Sequence, residues 1–328
     1  MAFQVTLKAW DEIDFQELAH FAYAIRQASK RPDIAIDRIQ AWLSRLEFDI
    51  PPVVILAHAS EELVGWLLVF IQDNTTVEIN PWFLGGHPFV FQEKKGKEIA
   101  TKLLKKATEY ARKEGFTRVG LQFYRDHPWN NLFRALYESM GMELADETVV
   151  MRRKLSSADH LDIKFPSSFK IKPLREIDQE ELYKTWYEIF KTGQIRFFTG
   201  RTKEQRREFF NECFNPTASI IEEGSLAIVR ADNSTEICGF SFSRPTHGEG
   251  NSHLWEFGIS PQFQGKGLGK NFLRLIISQL AQLDLKTMSL GVDPENRAAY
   301  RLYQSQGFVE EFGIVEYALQ LENQKNGE

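Results

Sequence analysis

The 328-residue chain has only two cysteines, Cys213 and Cys238, and neither stands near a second cysteine or a histidine at metal-ligand spacing. Disulfide scaffolds and cysteine–histidine metal sites are thereby excluded, and a reducing, cytoplasmic compartment is expected. Charge of one sign is also missing: 40 Lys and Arg against 45 Asp and Glu leave a formal net charge of −5. No global field favours nucleic acid or an anionic membrane surface. Long apolar runs are absent, and the one at 63–71 is far short of the roughly 18 residues a membrane span requires. No signal-peptide pattern is visible, because Met1 leads into an alternating strand and an acidic helix start. The length suits two domains, each able to bury its own core.

What is present lies mainly toward the C-terminal end. An apolar run at 254–259 precedes Gln264-Gly265-Lys266-Gly267-Leu268-Gly269-Lys270, and Phe272, Leu273, Ile276, Ile277 and Leu280 follow at helical spacing. This predicts strand, glycine turn, helix. Three glycines in that turn leave backbone N–H groups uncovered and aim them, with the helix dipole, at one point suited to a phosphate. The spacing is neither that of a P-loop nor the G-x-G-x-x-G of dinucleotide sites. A second segment, 296–308, follows an apolar strand at 288–292 and carries Asn296, Ala299, Leu302, Tyr303, Gly307 and Phe308.

The two segments, in this order, resemble the signatures of the GNAT superfamily of acyl-CoA-dependent N-acyltransferases. Gln264, Gly267 and Gly269 match the pyrophosphate-binding segment, and the residues of 296–308 match the Asn, Leu-Tyr and Gly-Phe signature. The resemblance implies an α/β (α+β) fold with a mixed, mostly antiparallel sheet, flanked by helices and holding a splayed central strand pair.

The chain reads as an internal duplication. Residues 3–14 and 167–178 both run from an alternating strand into Glu-Ile-Asp, and each is followed by a hairpin-like pair, 53–57 with 63–71 and 225–231 with 236–243. Ile99, Ala100, Leu103, Leu104 and Ala107 repeat the later helical stripe, and Asn130, Leu136, Tyr137 and Gly141 fall at the offsets of Asn296, Leu302, Tyr303 and Gly307. The expected organisation is a degenerate GNAT-like domain at 1–155, a polar linker at 156–168 with Pro166, and an intact domain at 169–328. Registering the stripes sets Gly96 against Gly269, Lys94 against Gly267 and Phe91-Gln92 near Gln264-Gly265, so the first copy has lost two glycines. Side chains there obstruct close approach of a diphosphate, and weak or no acyl-CoA binding is expected. The surviving amides of Lys94, Lys95 and Gly96 are the alternative. An extra loop, Leu84-Gly85-Gly86-His87-Pro88, lengthens the first copy.

Moving an acyl group from a thioester to an amine requires a held cofactor, a neutral amine, a stabilised oxyanion and a proton for the departing thiolate. The resemblance assigns acetyl-CoA (CoA) to the amides of Gln264, Gly265, Lys266, Gly267, Leu268, Gly269 and Lys270. It also sets Phe257, Gly258 and Ile259 along the pantetheine arm, with Gly258 allowing close backbone approach. Tyr303 is the implied general acid, a phenol near pKa 10 being matched to an alkyl thiolate; a core aromatic is its structural alternative. Asn296 caps a helix and could also bond the cofactor arm. Glu256 and His253 are the candidate bases; three apart on a strand, they face opposite sides unless a bulge intervenes. Acceptor recognition is implied for 186–214, where Phe190, Arg196, Phe197, Phe198, Arg201, Arg206 and Arg207 offer either carboxylate forks or a solvated helix face.

The expected activity is N-acetyl transfer from acetyl-CoA to a primary amine, on a small molecule or a peptide, by direct attack in a ternary complex. A non-catalytic CoA-binding sensor and an interaction scaffold are the rivals. The sequence leaves open whether the chain is a monomer, its two domains forming a pseudo-dimer, or a homodimer.

Overall fold

The computed structural model describes all residues except 1–2, 29–34, 46–49, 73, 81–86, 91–93, 128, 193–195, 216–218, 247–248 and 322–328. In chain order the first elements are β1 (Gln4–Ala9), α1 (Phe15–Ala28), α2 (Ile36–Arg45), β2 (Val53–Ala59), β3 (Glu62–Ile71), β4 (Thr76–Ile79), β5 (Phe89–Val90), α3 (Lys94–Lys113), β6 (Arg118–Tyr124), α4 (Asn130–Ser139) and β7 (Glu143–Lys154). There follow β8 (Phe169–Pro173), α5 (Gln179–Thr192), α6 (Arg196–Thr199), α7 (Lys203–Cys213), β9 (Leu226–Arg230), β10 (Ile237–Pro245), β11 (Asn251–Ile259), α8 (Leu268–Gln282), β12 (Thr287–Val292), α9 (Arg297–Ser305) and β13 (Val309–Gln320). They form two compact units, the first Met1–Asp146 with Ile314–Glu328, the second Glu147–Gly313.

These units differ from the two sequence halves. In unit 1 the sheet order is β1-β2-β3-β4-β6-β13, with β5 also on β3 and only the β4–β6 pair parallel. In unit 2 it is β8-β9-β10-β11-β12-β7, with only β11–β12 parallel. The strand that follows α4 thus closes the sheet of unit 2, and the strand that follows α9 closes that of unit 1. Residues 147–155 and 314–321 have changed sides relative to the halves expected from the repeat. Nothing local could reveal this, because an alternating strand specifies which face is buried but not which edge it joins.

In unit 2 both faces of the sheet are covered. Phe272, Leu273, Ile276, Ile277 and Leu280 of α8 are buried against Met288, Leu290, Val149 and Met151. On the other face, Trp186 of α5, Phe198 of α6 and Phe210 of α7 pack on Ala227, Val229, Phe240 and Phe242. Each large side chain so buried contributes about 1.5–3 kcal/mol, which makes the two helical layers a firm frame for the strand between them. A reciprocal cap starts α7: Gln205 N donates to Thr202 Oγ1 at 3.3 Å, and Thr202 N donates to Gln205 Oε1 at 2.9 Å.

Candidate functional site

In unit 2 the parallel pairing of β11 with β12 runs from Asn251↔Thr287 to Leu254↔Leu290 and stops, although β11 continues to Ile259 and β12 to Val292. Past Leu254 the edge of β11 that faces β12 has no ladder partner, while its other edge stays paired to β10 as far as Ile259↔Gly239. This is the splayed pair. At the same point β11 bulges: Phe242 lies opposite Glu256 and Ser243 opposite Leu254, leaving Trp255 as the extra residue.

The bulge settles which way the candidate bases point. Leu254 and Ile259 belong to the core under α8, and Phe257 stacks on Phe272 at 5.7 Å. On the opposite face, Trp255 Nε1 donates to Cys213 Sγ at 3.3 Å, Gly258 packs against Ile189, and the His253 ring lies edge-on to Trp255 at 5.6 Å. Glu256, coupled to the Trp186 indole, shares that face. His253 and Glu256 are therefore on one side of the strand. Gly258 has a packing role: a Cβ there would sit 2.8 Å from Ile189 Cγ2, so its missing side chain lets α5 close on β11.

The glycine turn follows directly. Gln264 Nε2 donates to Ile259 O at 2.8 Å, tying the turn to the strand end. Gly265 and Gly267 have φ of 73° and 78°, a left-handed conformation open chiefly to glycine, and a Cβ built on either meets nothing within 4 Å. Gly267 caps α8 without any side-chain acceptor. Among the described residues no acceptor meets the N–H groups of Gly265, Lys266, Gly267, Leu268, Gly269 or Lys270; the first amide to find one is Asn271 N, on Gly267 O at 3.1 Å. Six consecutive unpaired donors at a helix N-terminus form an anion-binding cradle. Gly269 packs tightly, its missing Cβ lying 3.3 Å from Ile259 Cγ1, and Lys266 Nζ donates to Gln262 O at 3.2 Å.

Tyr303 and Phe308, both buried, meet edge to face at 5.9 Å, and Tyr303 lies 6.3 Å from the Phe257 ring. Burial pushes the phenol above its usual 10, and the charge of Glu256 pushes it further. The match to an alkyl thiolate expected from the sequence is thus displaced: Tyr303 holds its proton more tightly. Asn296 caps α9, its Oδ1 accepting from Ala299 N at 3.2 Å. Burial raises Glu256 to about 8, the Trp186 indole pulling weakly the other way, although Trp186 Nε1 makes no hydrogen bond of normal geometry. His253 is lowered to about 4 by burial and then by the Arg152 charge. Ser289 Oγ donates to Ser252 O at 3.1 Å, so it accepts from His253 Nδ1 at 2.9 Å.

Of the arginines weighed as acceptor forks or as a solvated helix face, the described ones are engaged within the protein. Arg207 pairs with Glu180, Nη1 to Oε2 at 3.0 Å, and lies 4.3 Å from the Tyr183 ring. Arg206 Nε donates to Phe198 O at 2.7 Å, and Arg201 lies over Phe209 at 5.5 Å. The side chains of Arg196 and Phe197 lie outside the described residues, and Phe190 packs on Trp186 at 5.3 Å. An open depression of about 740 Å³ on α5 and α7, lined by Tyr183, Glu204, Arg207 and Glu208, contains neither the glycine turn nor Tyr303. Sequence reasoning passed over Trp186 and Ser289, whose roles depend on contacts with no local signature.

The counterpart in unit 1 is filled. Asn80 and His87 take up the space beside Tyr137: His87 Nε2 lies 3.0 Å from Asn130 Oδ1 and Nδ1 lies 2.6 Å from Tyr137 Oη. Because Oδ1 can only accept, Nε2 carries the proton and Nδ1 accepts from the Tyr137 hydroxyl. The His87 ring stacks on Phe133 at 4.2 Å, and Asn80 bonds His87 O at 2.7 Å and Leu68 N at 2.7 Å. Helix α3 starts at Lys94, within one residue of the register set against α8. Phe91, Gln92, Leu84, Gly85, Gly86 and the Lys94 side chain lie outside the described residues. Among the described residues no helix is long and apolar enough to cross a membrane and no group of three or more His, Cys, Asp and Glu could hold a metal ion.

Comparison with known proteins agrees with this geometry. The profile of the Acetyltransferase (GNAT) family matches residues 14–142 and again 179–308. A mycothiol acetyltransferase of Streptomyces scabiei is 24% identical over 257 residues, covering 78% of this chain and 76% of that one. Another, of Kocuria rhizophila, is 27% identical over 187 residues, which span 53% of this chain and only 58% of that protein. A GCN5-related N-acetyltransferase from Sphaerobacter thermophilus superposes with TM-score 0.63 at 18% identity, covering 97% of this chain and 95% of that chain. A tandem GNAT protein from the clavulanic acid biosynthesis pathway gives TM-score 0.54 at 14% identity, covering 97% of this chain and 98% of that one. Matched twice along its length, the chain belongs to the GNAT family of acetyltransferases as a two-domain member.

Proposed function

We propose that the protein transfers an acetyl group from acetyl-CoA to a primary amine by direct attack in a ternary complex, and that the cleft of unit 2 is its one working site. The observation that carries this is the run of six unpaired N–H groups, Gly265 through Lys270, beneath open space at Gly265 and Gly267. That cradle fits a diphosphate, and the unpaired edge of β11 past Leu254 fits an amide-bearing arm. When bound, acetyl-CoA supplies an activated thioester.

The chain's own residues do the rest. The amides of 265–270 and the α8 dipole hold negative charge, and the free β11 edge at Phe257 to Ile259 orients the arm and offers an N–H to the carbonyl oxygen. A base is most effective when its pKa lies near the working pH, and that selects Glu256, at about 8, over His253, at about 4. The Glu256 carboxylate takes the proton of the incoming ammonium. Neutral His253 lines the same face. Tyr303 Oη, protonated at rest, gives its proton to the leaving thiolate.

The test is release of free thiol from acetyl-CoA across a panel of amines. Because several relatives are named for mycothiol, the panel leads with small molecules and then short peptides. Amine-dependent release is expected. Binding of CoA without turnover of any amine would make the protein a CoA-binding module instead.

A further inference from the structure

Cys213 feels the charges of both Glu256 and Arg244, and among the described residues Arg244 has no carboxylate counter-ion. The Arg244 guanidinium lies 4.8 Å from the Phe242 ring and 4.9 Å from the Trp255 ring. Its Nη2 donates to Cys213 O at 2.6 Å and Glu212 O at 3.4 Å, capping the end of α7. Capping employs only that nitrogen. Nε is buried with no acceptor, and no hydrogen bond or carboxylate ion pair engages Nη1 among the described residues. A half-buried guanidinium short of acceptors and of an anion is costly unless a ligand supplies them.

Trp255 adds a second observation. As the extra residue of the bulge it is 44% exposed, although its Nε1 is fixed on Cys213 Sγ at 3.3 Å, so the indole presents a held, partly exposed apolar surface. Along β10, Phe242 lies opposite Glu256 and Arg244 opposite His253.

We propose that Arg244 and Trp255 form the acceptor subsite and select an amine that also carries a carboxylate. The nitrogen lies at Glu256, the carboxylate pairs with Arg244, and the connecting atoms lie on the Trp255 ring. This rests on the N-acetyltransferase reading above.

Glycylglycine and glycylglycinamide have nearly the same length and differ in the terminal charge, so acetylation of the pair tests the subsite. Expected is a kcat/KM at least tenfold higher for glycylglycine. Arg244→Gln brings the ratio to within twofold of unity with CoA affinity by calorimetry retained, Arg244→Lys keeps part of the preference, and Trp255→Ala raises KM more than it lowers kcat. Equal use of both dipeptides by the parent, a preference that survives Arg244→Gln, or acetylation of other amines but neither dipeptide would overturn the subsite alone. Failure to bind CoA would instead overturn the reading on which it rests.

Discussion

Units 1 and 2 have the same strand order and the same single parallel pair, yet one encloses a cleft and the other a plug. In unit 2 the central strand β11 is continuous, with a single extra residue opposite β10. In unit 1 the same path carries two separate strands: β4 ends opposite Val69 and β5 starts opposite Trp66. Just before β5, His87 lies on Tyr137 and Asn130, the counterparts of Tyr303 and Asn296. The lesson concerns satisfaction of polar groups. A folded chain pairs its buried donors and acceptors where it can, and a fully paired network is stabilising but inert. Among the described residues unit 2 keeps six amides without partners, a cost that a bound anion can offset.

The largest expected contrast is catalytic. Tyr303→Phe should lower kcat about 100-fold, within the usual span for loss of a proton-transfer group, whereas Tyr137→Phe should leave turnover unchanged. Thiol release under saturating acetyl-CoA measures both, and similar losses from the two would abolish the distinction between the units. The next is pH dependence. With Glu256 at about 8, kcat/KM should rise about tenfold per pH unit below 8 and level off above it, and Glu256→Gln should be slow and flat. Folding follows with the opposite sign. Between the ordinary carboxylate pKa and about 8 the native state keeps a proton that the unfolded chain has released, so this group's contribution to stability falls as pH rises through that window. Urea titrations from pH 5 to 9 should show that decline in the parent and lose it in Glu256→Gln.

His87→Ala sharpens the comparison from the other side. It removes a stacked ring and leaves Tyr137 and Asn130 without their partner, and should cost about 2–4 kcal/mol in urea unfolding while leaving affinity for CoA untouched. Smallest is Asn296→Ala, expected to cost about 1 kcal/mol through loss of the α9 cap. A CoA affinity reduced well beyond that would give Asn296 a contact with the cofactor arm.

Much of this was legible from residue spacing alone. Glycines at 265, 267 and 269 ahead of a helical stripe specify a turn with bare amides, and Asn296 three residues before Ala299 specifies a cap, because both depend on neighbours in the chain. Three features were not legible. The exchange of β7 and β13 depends on which sheet edge a strand meets. The bulge at Trp255 reverses the alternation that would otherwise part His253 from Glu256, and a one-residue slip leaves no mark in a strand of this composition. The His87 plug joins residues 43 and 50 positions apart, so the inserted loop was visible and its occupation of the site was not.

The account's central claim is that one diphosphate cradle exists and that it lies in unit 2. Calorimetric titration with CoA tests it most directly, using the parent, Gly265→Asp, Gly265→Asn and Lys95→Asp. Asn and Asp both tolerate the left-handed backbone, so the Gly265 pair isolates the added negative charge. The account predicts one equivalent bound by the parent and by Lys95→Asp, and binding lost in Gly265→Asp but largely kept in Gly265→Asn. Two equivalents, or full affinity in Gly265→Asp with loss in Lys95→Asp, would contradict it.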